Sequence, residues 1–69
     1  MVEVFKTNIT DKNTALKLIA DLHSFFPGGR INFDLDDCDK ILRIEREEIL
    51  PELVTEFLAK KGYNCEILE

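Results

Sequence analysis

The chain has 69 residues, of which 14 are acidic, nine are basic and one is histidine, so its formal net charge is −5 at pH 7. Hydrophobic residues make up 45% of the sequence, which is typical of a folded domain and not of a disordered segment. This length allows one small domain, residues 1–69, with few apolar side chains left over for a deep pocket. The acidic charge argues against binding to nucleic acid, and two cysteines are too few for a disulfide scaffold.

No apolar stretch approaches the roughly 20 residues that a helix needs to cross a bilayer, so we expect no contact with a membrane. The first residues do not resemble a signal peptide. Together with the two unpaired thiols, these observations predict a cytoplasmic protein.

The first predicted elements are a strand and a helix. Residues 1–7 are rich in β-branched and aromatic side chains, which favour a strand. Thr10 or Asp11 can cap the helix that follows, and the Pro-Gly-Gly sequence of residues 27–29 ends it. The apolar face of this helix, spaced at i, i+3 and i+4, consists of Ala15, Leu18, Ile19, Leu22, Phe25 and Phe26.

The second half of the chain predicts a hairpin, a helix and a last strand. Apolar residues alternate over residues 31–35, and after an aspartate-rich turn residues 40–45 form a second strand with Leu42 and Ile44 on one face. Pro51 suits the first turn of a helix, Gly62 can end it, and residues 63–68 read as a strand. One face of the second helix carries Leu50, Leu53, Val54, Phe57, Leu58 and Lys61.

The order of the elements is βαββαβ. Right-handed crossovers then favour one antiparallel sheet with the spatial strand order 4-1-3-2 and both helices on one face. The predicted fold class is therefore α+β with a ferredoxin-like arrangement.

Short motifs in register along the chain carry a resemblance to a known family. They are Phe-Lys-Thr-Asn-Ile at residues 5–9, Phe-Pro-Gly at 26–28, the hairpin segments 34–36 and 39–42, and Gly-Tyr-Asn-Cys-Glu at 62–66. These motifs resemble the corresponding segments of heavy-metal-associated domains, the copper-chaperone-like family. The resemblance implies a ferredoxin-like fold and, in typical members, a soft-metal site formed by two cysteines in the first loop.

In this chain Asp11 and Thr14 occupy the positions of the two metal-binding cysteines. Thiolates suit Cu(I) and Zn(II), whereas a carboxylate is a hard ligand and a neutral hydroxyl is a poor one. We therefore predict a non-enzymatic binding or interaction module without a cofactor, in which Asp11 caps the first helix or lies favourably in its first turn.

Two alternative functions stay open. Cu(I) or Zn(II) could be held by Cys38, Cys65 or a thiol supplied by a partner. However, the predicted topology places the two cysteines on opposite flanks, about two to three strand spacings of roughly 4.8 Å apart. Cys65 alternates with Tyr63 and Ile67, as expected of a small core residue. The other alternative is a small-ligand regulatory domain of the same topology, which predicts dimers.

The first strand allows two orientations. If Val2 and Val4 face the helices, Phe5 lies on the open face of the sheet with Ile41 and Leu68. These three side chains would then form an apolar surface for a protein partner or a second copy. If a bulge turns Phe5 inward, this surface shrinks.

Catalytic chemistry is not predicted. His23 and the two cysteines fall at opposite ends of the predicted fold, so no Cys-His pair can be assembled. The aspartates around the hairpin turn lack the glycine and glutamate spacing of a calcium-binding EF-hand loop.

Overall fold

The computed structural model describes residues 1–68, which form four strands and two helices in the predicted order. The elements are β1 (Val2–Thr7), α1 (Lys12–Phe25), β2 (Arg30–Asp34), β3 (Ile41–Glu45), α2 (Pro51–Lys60) and β4 (Cys65–Leu68). The last strand begins two residues later than predicted, because Lys61 and Gly62, which has a positive φ of 92°, form the turn out of α2 and residues 63–64 are irregular.

The four strands form one antiparallel sheet in the order β2-β3-β1-β4, which is the predicted order read from the opposite edge. β1 is central and pairs with β3 from Val2↔Glu45 to Lys6↔Ile41. On its other side β1 pairs with β4, ending at Thr7↔Cys65. This α+β arrangement is compatible with the predicted ferredoxin-like fold.

The main core draws side chains from three strands and both helices. Phe5 and Leu42 are direct partners in the ladder between β1 and β3, and neither side chain is exposed to solvent. Leu22 of α1 and Leu58 of α2 belong to the same buried cluster. Burial of these side chains is the main stabilising contribution to so small a fold.

Phe5 faces the core, so the apolar surface proposed from Phe5, Ile41 and Leu68 does not form as predicted. The pairing of β1 with β3 is unbroken, and no bulge is needed to turn Phe5 inward. Regular alternation instead places Val2 and Val4 on the opposite face of the sheet. Ile41 does share that face, but it is only 7% exposed, and Leu68 is half-buried. Burial of the large Phe5 ring decides the orientation of the strand.

Thr7 ties together the loops at one end of the sheet. Its amide N–H donates to the Asp39 carbonyl oxygen at 3.1 Å. Its hydroxyl donates to the Lys40 carbonyl oxygen at 2.6 Å and accepts from the Ile9 amide at 3.2 Å. The first loop and the hairpin turn are therefore both attached to the end of the central strand.

Within residues 1–68, neither helix combines the length and the apolar composition needed to cross a membrane.

Candidate functional site

The sequence-based expectation places Asp11 and Thr14, at the start of α1, where a metal-binding cysteine pair would lie. Asp11 Oδ2 accepts hydrogen bonds from the Thr14 amide at 2.9 Å and from Thr14 Oγ1 at 3.0 Å. The predicted capping role of Asp11 is confirmed, because this is the N-cap arrangement that satisfies the free N–H groups of a helix start. The two side chains are thus engaged with each other.

The two cysteines lie on opposite sides of the end of β1. Cys65 pairs directly with Thr7 in the ladder between β1 and β4. Cys38 lies in the hairpin turn next to Asp39, whose carbonyl oxygen bonds the Thr7 amide. Neither cysteine forms a disulfide, and the central strand stands between them.

Cys65 is half-buried against the core, whereas Cys38 is exposed. Burial, and secondarily the negative charge of Glu66, raises the pKa of the Cys65 thiol from its ordinary value of 9.0 to about 12. The thiol therefore keeps its proton at neutral pH, and a protonated thiol is a poor ligand for a metal ion.

The hairpin turn brings together three groups that could in principle hold a metal. One ligand atom from each of Asp37, Cys38 and Asp39 lies within 4.8 Å of the other two. Both carboxylates already have structural partners, because Asp37 Oδ1 accepts from the Asp39 amide at 2.9 Å and Asp39 lies 3.8 Å from Lys6 Nζ. The cluster is open to solvent, and its geometry is that of a hydrogen-bonded turn.

His23 lies in the last turn of α1, where a positive charge would interact favourably with the helix dipole. The cysteines lie instead at the end of the sheet where α1 begins, so the sequence-based expectation that His23 and the cysteines are separated agrees with the positions of these elements.

An exposed apolar groove lies between the end of α1 and one side of α2. Phe25 is 69% exposed, and its ring packs edge-on against Phe57 with 4.9 Å between the ring centroids. Leu53, one helical turn before Phe57, is 46% exposed. This aromatic groove has a volume of about 510 Å³ and is lined by Phe25, Phe26, Leu53, Glu56, Phe57, Lys60 and Lys61.

Contacts between the helices fix the shape of the aromatic groove. Lys61 Nζ lies 3.0 Å from Asp21 Oδ2 and also 5.2 Å from the centre of the Phe57 ring. These contacts hold the C-terminal part of α1 beside α2. The rim of the groove is consequently positive at Lys61 and Lys60 and negative at Glu56.

Sequence reasoning did not find the aromatic groove, because it assigned both Phe25 and Phe26 to the buried face of α1. Adjacent helical residues point about 100° apart, so the two rings cannot face the core equally. Phe26 packs against the core and Phe25 points outward. The two adjacent phenylalanines at the end of α1 were the sequence feature that could have indicated one exposed ring.

A larger and more polar groove, of about 590 Å³, runs along β2. Its lining includes Lys12, Asp34 and Arg43. It is the cavity that a small polar ligand would use in the regulatory-domain alternative, but its charges are mixed and it is wide open to solvent.

Comparisons with protein-family models, with curated proteins and with solved structures found no match to this chain.

Proposed function

We propose that this protein is a small, non-enzymatic interaction module whose contact surface is the aromatic groove. The proposal takes the scaffold to be a ferredoxin-like domain, with both helices on one face of the sheet, that is similar to heavy-metal-associated domains but lacks their soft-metal site. The observation that carries it is the exposure of the Phe25 ring beside Phe57 and Leu53. A cluster of exposed, adjoining large apolar side chains is typical of a surface that binds another protein.

The start of α1 supports a role without a resident metal. Asp11 could offer an ion the two oxygens of its one carboxylate, and Oδ2 already accepts two hydrogen bonds from Thr14. A soft cation would have to break this cap and would gain only oxygen ligands in return.

Metal handling through the cysteines is the competing function, and the structure gives it little support. β1 separates Cys38 from Cys65, and burial keeps the Cys65 thiol protonated. A metal held by both sulfurs would require rearrangement of the hairpin turn.

A metal titration tests the proposed absence of a soft-metal site. Cu(I) or Zn(II) is titrated into the reduced protein against a competing chromophoric chelator, and we expect no 1:1 site of sub-micromolar affinity. The double variant Asp11→Cys/Thr14→Cys is the positive control, because it should create such a site if the resemblance is correct. Sub-micromolar binding by the wild type that disappears in Cys38→Ser/Cys65→Ser would overturn the proposal in favour of metal handling.

A photo-crosslinking experiment tests the contact surface. In the test variant a photoreactive amino acid replaces Leu53 in the aromatic groove. In the control variant it replaces Leu16, which is 56% exposed on α1 but does not line the groove. We expect a protein adduct from position 53 that is suppressed by Phe25→Ser, and no adduct from position 16. Equal labelling from both positions, or none from position 53, would contradict an interaction through the groove.

A further inference from the structure

We infer that the aromatic groove binds the same groove of a second copy of this chain, through antiparallel packing of the two α2 helices. This inference rests on the proposed function and specifies the partner. Its basis is the pattern of apolar and charged side chains along α2.

The apolar part of this pattern is a stripe along one side of α2. Leu53 and Phe57 are four residues apart, the spacing of one helix face, and Leu50 precedes them as the N-cap residue with extended backbone. Leu50 is 62% and Leu53 is 46% exposed, although both side chains are large and apolar. The exposed Phe25 ring widens the stripe where α1 meets Phe57.

The charged part of the pattern is a pair of opposite charges, one at each end of α2. Glu52 lies in the first turn of the helix and Lys60 in the last turn. An antiparallel pairing places the Lys60 end of each helix beside the Glu52 end of the other, so opposite charges meet at both ends. A parallel pairing would bring like charges together at both ends.

Lys60 is available for such a contact. Among the ion pairs formed within residues 1–68, Lys61 is engaged with Asp21, whereas Lys60 has no acidic partner. Glu52 likewise has no basic partner in that part of the chain. A second α2 in the reversed direction offers an apolar stripe with a negative charge at the end that meets Lys60 and a positive charge at the end that meets Glu52.

A two-fold axis between Leu53 and Phe57 satisfies both parts of the pattern. Leu53 of each copy then lies against Phe57 of the other, and each apolar stripe covers its counterpart. Such an interface is self-complementary and closes at two copies, so it does not propagate into a fibre.

Sedimentation equilibrium over roughly 1 µM to 1 mM protein tests the inference, since this range covers weak to moderate self-association. A chelator and a reductant are present, so that neither a bridging metal nor a Cys38 disulfide can link two copies. We expect the wild type to form dimers and Leu53→Ser to raise the dissociation constant at least about tenfold. Leu16→Ser, which removes an even more exposed leucine outside the groove, should leave the dimer unchanged.

Charge reversal tests the antiparallel arrangement. Lys60→Glu and Glu52→Lys should each weaken the dimer, because each places like charges side by side at both ends of the interface. The double variant Glu52→Lys/Lys60→Glu restores opposite charges and should recover most of the affinity. Circular dichroism at the same concentrations verifies that each variant is folded.

A monomeric wild type at the highest concentration would overturn the inference. So would a dimer that is insensitive to Leu53→Ser, or a double charge variant no tighter than the single variants. None of these results bears on the metal titration, so the dimer can fail while the proposed metal-free interaction module stands. Conversely, sub-micromolar metal binding by a dimeric protein would contradict the proposed function and leave the dimer in place.

Discussion

At the scale of single residues, Thr7 is the buried polar side chain on which the loops of one end of the sheet depend. It is 7% exposed, and its hydroxyl uses both its donor and its acceptor capacity. Buried polar groups are tolerated when they are fully hydrogen-bonded, and removal of one partner leaves the others unsatisfied.

Thr7→Val is therefore expected to lower the free energy of unfolding by about 1–3 kcal/mol, because it retains the shape of the side chain but leaves the Ile9 amide and the Lys40 carbonyl without this partner. Urea denaturation measures the change. The matched control is Thr55→Val, whose hydroxyl donates to the Glu52 carbonyl oxygen on the exposed part of α2 and should contribute no more than about 0.5 kcal/mol. Equal losses in the two variants would contradict this account.

The roles of Asp11 and Phe5 show what could be predicted for single residues. The cap at Asp11 is a local interaction with Thr14, three residues away, and local sequence therefore predicts it. The orientation of Phe5 depends on Leu42, Leu22 and Leu58, which approach from distant parts of the chain. Alternation in a strand identifies two faces but does not say which one meets the helices.

At the scale of elements, the turn between α1 and β2 packs closely against the end of β3. Arg46 Nε donates to the Pro27 carbonyl oxygen at 3.2 Å, and its guanidinium lies 5.8 Å from the centre of the Phe26 ring. A Cβ atom at Gly29 would lie 2.6 Å from the Glu45 carbonyl oxygen and 2.2 Å from Arg46 Cγ. This contact requires a residue without a side chain.

Gly29→Ala should consequently destabilise the fold by about 1–3 kcal/mol, because the backbone of β3 cannot yield as a flexible side chain would. Thermal unfolding by circular dichroism measures the loss. Gly28→Asn is the control, since the Gly28 φ of 79° is accessible to asparagine and the space around its Cβ position is open. If Gly29→Ala is as stable as Gly28→Asn, the close contact with the Glu45 carbonyl oxygen is relieved without loss of stability, which would contradict this account.

The order of elements follows from periodicity, but their ends and their mutual contacts do not. Lys40, predicted as the first residue of a strand, instead has a positive φ of 49° in the turn, and its Nζ donates to the Leu35 carbonyl oxygen at 2.8 Å. The aromatic groove was missed for a related reason. It exists only where the end of α1 meets the side of α2, and helical periodicity describes each helix separately.

At the scale of the whole molecule, the Cys65 thiol links global stability to alkaline pH. Its pKa of about 12 in the folded protein lies above the ordinary value of 9.0 that applies to the unfolded chain. Between these values the unfolded chain has released the proton while the folded protein still holds it. The contribution to stability is therefore complete below about pH 9 and decreases as the pH rises towards 12.

Cys65→Ala removes the titrating thiol, so the decrease in stability that this thiol causes at alkaline pH should be absent. Urea denaturation at several pH values from 8 to about 11 gives the slope of stability against pH, which is expected to be shallower in Cys65→Ala than in the wild type. Cys38→Ser, which alters the exposed cysteine, should retain the wild-type slope. Identical slopes in the wild type and Cys65→Ala would contradict the effect of burial on this thiol.

The central position of β1 has a consequence for the order in which the molecule is made. Synthesis proceeds from the N-terminus, yet Lys6 pairs with Ile41 and Thr7 pairs with Cys65, far along the chain. The hairpin of β2 and β3 can close by itself, whereas Phe5 has no complete cover until α2 has left the ribosome. β1 therefore precedes the other strands in the chain but is among the last to be enclosed, because the edge that pairs with β4 stays unpaired until β4 has been made.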